Sequence, residues 1–146
     1  MMNERLSAIM TTDVVTVNPK DKLTKVKDIL FSRGFHHIPV VEGKKLVGIV
    51  TTYDLLKQNR RFEEYDDLLV EDIMTRKVVT LRPNELVGAA AQIFLKHLFH
   101  GLPIVNDDRE LVGIVTTHDI MKYQFLKEYP NDEFIKRTGW LEKVKI

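Results

Sequence analysis

The stretch FHHIPVVEGKKLVGIVTTYDL at residues 35–55 returns as FHGLPIVNDDRELVGIVTTHDI at residues 99–120. The correspondence extends upstream, where IMTTDVVTVNP at 9–19 is answered by IMTRKVVTLRP at 73–83. Met10 pairs with Met74, Pro19 with Pro83, Phe35 with Phe99 and Pro39 with Pro103, all at an offset of 64 that becomes 65 from Gly48 and Gly113 onward. The extra residue falls where Asp107-Asp108-Arg109-Glu110 answers Gly43-Lys44-Lys45, a turn in which an insertion disturbs little. Two copies of one supersecondary unit imply that neither buries its apolar face alone, so the copies pack on each other about a pseudo-twofold axis. Anything bound between them meets two related clefts.

Val14, Val15 and Val17 form a β-branched run that Pro19 stops, and residues 20–33 follow with Leu23, Val26, Ile29 and Leu30 at helical spacing. Two apolar runs, 38–41 and 46–50, flank Glu42-Gly43-Lys44-Lys45 and read as a hairpin. Their continuous apolarity predicts strands covered on both faces. At Thr51-Thr52-Tyr53-Asp54 the pattern turns helical, and the second copy repeats each step, with Leu86, Ala89, Ala90, Ile93 and Phe94 as its helix stripe. Each unit is thus strand, helix, strand, strand, helix, and the fold class is α+β. The copies span 6–62 and 63–125, with an extension at 126–146. Between the copies, basic Arg60-Arg61 abuts acidic Glu63-Glu64 and Asp66-Asp67, which reads as a solvated linker. The extension breaks near Pro130-Asn131 and resumes with Phe134, Ile135, Trp140, Leu141, Val144 and Ile146, too apolar for a disordered tail. It either caps the domain or buries against a second copy.

Composition bounds the function. The chain of 146 residues suits one compact domain, so whatever it controls is expected to be controlled in trans. Twenty-two basic against 21 acidic side chains leave a net charge of +1, and no stripe of Lys and Arg marks a duplex-binding face. There is no apolar run of membrane-spanning length, and MMNERLSAIM lacks the pattern of a signal peptide. The expected location is the cytoplasm, with no membrane or nucleic-acid partner. The absence of cysteine removes thiolate metal sites and cysteine nucleophiles.

The segment that carries chemistry is Gly-Ile-Val-Thr-Thr-x-Asp, at 48–54 and again at 113–119. It sits at a strand-to-helix junction, where unpaired amides and the positive end of the helix dipole favour an anion. Thr51 and Thr116 can donate hydroxyls to a phosphate, and Asp54 and Asp119 can accept from a ribose diol. The same four residues also fit a capping box, in which threonine and acid satisfy the helix's own amides. Both readings stand at this point.

The whole repeat resembles a known family. A Met-Thr opening, a proline-terminated first strand, x-His-x-x-Pro-Val-Val and Gly-x-x-Thr-x-x-Asp, in that order and twice, are similar to tandem cystathionine beta-synthase domains, the CBS pair or Bateman module, over residues 6 to 125. The resemblance implies two repeats packed through their sheets and an adenine-containing ligand, such as AMP, ADP, ATP or S-adenosylmethionine, in the clefts between them. It also implies association into dimers. Carried over, cleft one joins Thr116 and Asp119 to Thr16, Asn18, Leu23, Phe35, His36, His37 and Pro39. Cleft two joins Thr51 and Asp54 to Thr80, Arg82, Val87, Phe99, His100, Gly101 and Pro103. His36-His37 stands where similar proteins carry His-Arg facing phosphates, whereas the second copy offers His100-Gly101. Cleft one is therefore expected to take the phosphorylated ligand. With imidazoles of ordinary pKa near ~6.5 as its cations, binding is expected to strengthen as pH falls toward about 6.

No catalytic constellation competes with this reading. There is no marked Ser-His-Asp arrangement, Schiff-base lysine or Gly-x-x-x-x-Gly-Lys-Thr loop. His97 and His100 share a helical spacing, but a zinc hydrolase needs a third ligand and an open position. The sequence thus predicts a non-catalytic sensor with no cofactor or metal, the regulatory ligand being an adenosine compound and the output passing to an effector protein or a second copy. The alternative is a structural dimerisation module with vestigial clefts.

Overall fold

The protein is described by a computed structural model over residues 1–133. Phe134, Ile135, Trp140, Leu141, Val144 and Ile146, on which the role of the extension depends, lie outside the described residues. Copy one contributes helix α1 (Leu23–Arg33), strands β1 (His37–Glu42) and β2 (Lys45–Thr51) and the short helix α2 (Thr52–Leu56). A 3-10 turn (Phe62–Asp67) and α3 (Val70–Ile73) lead into copy two, built from α4 (Val87–Lys96), β3 (Gly101–Val105), β4 (Leu111–Thr116) and α5 (Thr117–Glu128). Each copy holds one antiparallel hairpin.

The hairpins sit where the apolar runs place them, and the first of them turns through Gly43 at φ 60°. Helix α1 starts three residues later than the spacing suggests and stops at Gly34, whose left-handed backbone (φ 67°) lets its N–H bond the Leu30 carbonyl. Leu86 precedes α4 and is exposed, so the buried stripe of that helix rests on Val87 and Ala90.

The expected opening strand of each copy is reduced to one parallel bridge, Val17 to Val40 and Leu81 to Ile104. Proline explains the stop on both sides. Val17 N–H donates to the Pro39 carbonyl and the Val17 carbonyl accepts Val41 N–H, but the next rung toward Val15 needs an N–H from Pro39, which has none. The rung in the other direction needs an N–H from Pro19. Pro103 and Pro83 play the same parts around Leu81. Val14, Val15, Val78 and Val79 are left outside any ladder, with their side chains available to line a cavity.

The two cores are exchanged between the copies. The first gathers Val17, Leu23, Val26, Ile38, Val40 and Val50 with Tyr65, Val70 and Met74, which come from the segment opening copy two. The second gathers Leu81, Val87, Ala90, Leu102, Ile104 and Val115 with Leu6, which opens copy one. Backbone pairing follows the same exchange, since Thr75 bridges Ile49 and Thr11 bridges Ile114. The Met-Thr opening of each copy is therefore a partner for the other copy's sheet. At the hairpin ends Leu46 N–H donates to the Arg109 carbonyl and Leu111 N–H to that of Lys44, which joins the two sheets about the pseudo-twofold axis.

Candidate functional site

Two cavities lie between the copies, of about 470 Å³ and about 400 Å³. Both volumes fall within the range of small-molecule sites. In the first, Thr116, Thr117 and His118 at the start of α5 face Val14, Val15 and the Phe35-His36-His37 run with Pro39. In the second, Thr51, Thr52, Tyr53 and Asp54 at the start of α2 face Val78, Val79 and the Phe99-His100-Gly101 run. Each helix start is tied to the histidine run of its own copy, Thr52 N–H to the His36 carbonyl and Thr117 N–H to that of His100, both at 3.0 Å.

Not every expected residue reaches a wall. Leu23 and Val87 are wholly buried in the two cores, Pro103 is buried within strand β3, and Thr16 and Thr80 stand off the linings. The Asn18 side chain accepts Lys20 N–H at 2.9 Å and shapes the turn before α1. Arg82 pairs with Asp107 at the end of the second hairpin. Asp119 is 2 % exposed and lies behind Thr116, outside the lining of the first cavity.

The structure forms the capping box in both copies. Asp119 Oδ2 accepts Thr116 N–H at 2.9 Å and its hydroxyl at 3.0 Å, while Asp119 N–H donates to Thr116 Oγ1 at 3.1 Å. Thr51 and Asp54 repeat this at 2.9, 3.1 and 3.2 Å. Each threonine proton is thus directed at its own aspartate, so a ligand anion meets the hydroxyl's remaining lone pair unless the box opens. Asp54 keeps its second oxygen toward the cavity, 3.4 Å from both Thr75 Oγ1 and Lys57 Nζ. Asp119→Ala and Asp54→Ala are each expected to lower stability by about 1–2 kcal/mol without any ligand, read as a shifted urea midpoint. A midpoint unmoved in either variant would deny that carboxylate its role in the cap.

The side chains missed in the sequence change the electrostatics. Lys57 and Lys77 line the second cavity, whereas the first has Arg33. His37 does not supply the expected cation. Burial, and then the neighbouring His36 and His100, push its pKa down to about 4, so it is neutral at neutral pH. The increase of binding toward about pH 6 expected from His36 and His37 therefore loses one of its two groups. Gly101 has a steric reason as well. A Cβ there would lie 2.3 Å from His37 Nε2, so the ring of His37 occupies the space that a side chain at 101 would need. Residues 37 and 101 are equivalent in the repeat, and they meet at the axis that relates the copies. His97 stacks on Phe99 at 5.1 Å between ring centres. Among the described residues no three His, Asp or Glu side chains converge as a metal site.

The sequence that carries these two helix starts and histidine-bearing runs matches the CBS domain family model twice, over residues 6–60 and 70–125. The chain belongs to the CBS domain family. This CBS pair is 31 % identical to the CBS domain pair of protein MJ0100, solved in complex with 5-methylthioadenosine and S-adenosyl-L-methionine, with a TM-score of 0.74 over 86 % of this chain and 98 % of that one. It is also similar to protein MJ1225 of Methanocaldococcus jannaschii, 30 % identical over 83 % of this chain and 47 % of that protein. The crystal structure of MJ1225 superposes with a TM-score of 0.77 over 84 % of this chain and 48 % of that one. The inosine-5'-monophosphate dehydrogenase of Korarchaeum cryptofilum is 35 % identical over 80 % of the CBS pair but only 24 % of the enzyme. The CBS pair thus spans about a quarter to a half of the curated relatives named here. No helix among the described residues is long and apolar enough to cross a membrane.

Proposed function

We propose that this CBS pair is a cytoplasmic, non-catalytic regulatory module that binds an adenosine-type ligand (AMP, ADP, ATP or S-adenosylmethionine) between its copies and signals to an effector protein in trans. The observation that carries the reading is the pair of cavities, each walled by the capped helix start of one copy and, across the axis, by side chains of the other. The adenosine compounds in the MJ0100 complex support the ligand class. Backbone at the helix starts and apolar side chains such as Val15 and Val79 suit an adenosine body, and Lys57 with Lys77 makes cleft two, rather than cleft one, the better place for a phosphate. A ligand transmits a signal only by binding two arrangements of the copies unequally.

The test is thermal unfolding with AMP, ADP, ATP, NAD and S-adenosylmethionine. A ligand that binds only the folded chain adds about 2.7 kcal/mol at about 100 times its Kd, and at least one compound is expected to raise Tm accordingly. No shift with any of them would sink the sensor for this ligand class. The reading of a dimerisation module is favoured by a separate observation, the exposed apolar side chains on the outer helices. Phe31, Leu56, Leu95 and Met121 are 67–90 % uncovered, in keeping with a homodimer formed through those helices. The mass in solution, measured with and without ligand, separates assembly from sensing.

A further inference from the structure

The two cavities share one wall. His36, His37 and His100 line both of them. The wall is a packed unit, because the His37 ring fills the notch at Gly101 and the carbonyls of His36 and His100 hold the starts of α2 and α5. It therefore stands at the axis, with one cleft on either side and one set of imidazoles for both.

We propose that the two clefts are negatively coupled through this shared wall, so that a phosphorylated ligand in one cleft weakens binding of a second phosphorylated ligand in the other. The proposal rests on the adenosine-ligand reading above and adds how the two sites regulate each other. A phosphate carries about −1.5 to −2 charges near neutral pH. His36, His37 and His100 line both clefts, so a phosphate in either one meets the same three imidazole side chains. An N–H donor of the wall that turns to the first anion is withdrawn from the second. Two anions set on either side of one wall repel each other, which gives the coupling its sign. Arg33 in the first cavity and Lys57 and Lys77 in the second lie on one side only, so they set the separate affinities and not the coupling. An uncharged adenosine makes no such demand on the wall. The favoured doubly occupied state then holds one charged and one uncharged ligand.

Separate affinities and coupling are resolved by closing one cleft at a time. Val15 lines only the first cavity and Val79 only the second, so V15W and V79W each fill one cleft. AMP is titrated calorimetrically into the full chain and into both variants. V15F and V79F serve as smaller wedges should tryptophan prevent folding. The weaker AMP step of the parent is expected to be about tenfold or more weaker than the affinity of the same cleft measured alone. Adenosine, titrated in the same way, is expected to bind each cleft equally well whether the other is open or closed. Parent AMP affinities equal to those of the two single-cleft variants would overturn the coupling and leave the adenosine reading standing. Absence of binding by both AMP and adenosine would overturn the coupling together with that reading.

Discussion

Replacing Gly48 by valine is expected to cost the protein at least about 3 kcal/mol, the upper range for overpacking a close contact. A Cβ at this position would lie 2.9 Å from the Thr75 carbonyl oxygen and 2.9 Å from Met74 Sδ. The sulfur, at the far end of a flexible side chain, can yield. The carbonyl cannot, because it accepts Ile49 N–H at 2.9 Å while the Ile49 carbonyl accepts Thr75 N–H at 2.9 Å. Displacing it opens the bridge that ties the start of copy two to the sheet of copy one. Met74 belongs to the first core, so the damage extends into packing. The equivalent Gly113 faces Met10 Sδ at 2.7 Å and the Thr11 carbonyl at 3.0 Å, and Gly113→Val is expected to match it. Urea denaturation of both variants provides the measurement. A loss under about 1 kcal/mol in either would mean that the opening segment does not hold the sheet as closely as described. Thr75 and Ile114 line the second and first cavities respectively, so the same variants should lose the clefts with the bridges.

This exchange of segments marks where the sequence stops being legible. Hairpins, helices and the α+β class follow from apolar runs with periods that depend only on neighbours a few residues apart. The alignment of Met10 with Met74 and of Gly48 with Gly113 reveals the repeat, but an offset within one chain does not tell which opening meets which glycine. Local geometry also misleads for Val14, Val15, Val78 and Val79. They have the composition of a strand and are kept from being one by prolines 20 or more residues away in the chain. The repeated order of Thr and Asp in the two copies locates both helix starts, and the structure assigns that pattern to the capping box it also resembles. Lys57 and Lys77 are not legible as wall residues in the sequence, because their place on a wall depends on how the copies meet. His37 is the reverse case: its type suggested a cation, and its surroundings made it a neutral wedge.

That wedge leads to a stability that depends on pH in a defined direction. The His37 pKa is lowered from 6.5 to about 4 by burial and by His36 and His100, whereas in the unfolded chain it returns to about 6.5. Above that value the imidazole is neutral in both states and folding is unaffected by its proton. Between the two values the unfolded chain binds the proton and the folded chain does not, so stability falls as pH falls. The loss attributable to this group is about 2 kcal/mol at about pH 5 and levels off near about 3 kcal/mol below pH ~4, where both states are protonated. His37→Gln removes the titrating group while keeping a polar side chain in the Gly101 notch, and subtracting its pH profile from that of the parent isolates the contribution. The parent is expected to lose stability more steeply than H37Q between about pH 6.5 and 4, with the profiles running parallel above pH ~7. Parallel profiles throughout would mean that the imidazole titrates in the folded chain as it does in the unfolded one. His37 would then be open to solvent, and the wall shared by the two clefts would lack the packed centre that couples them.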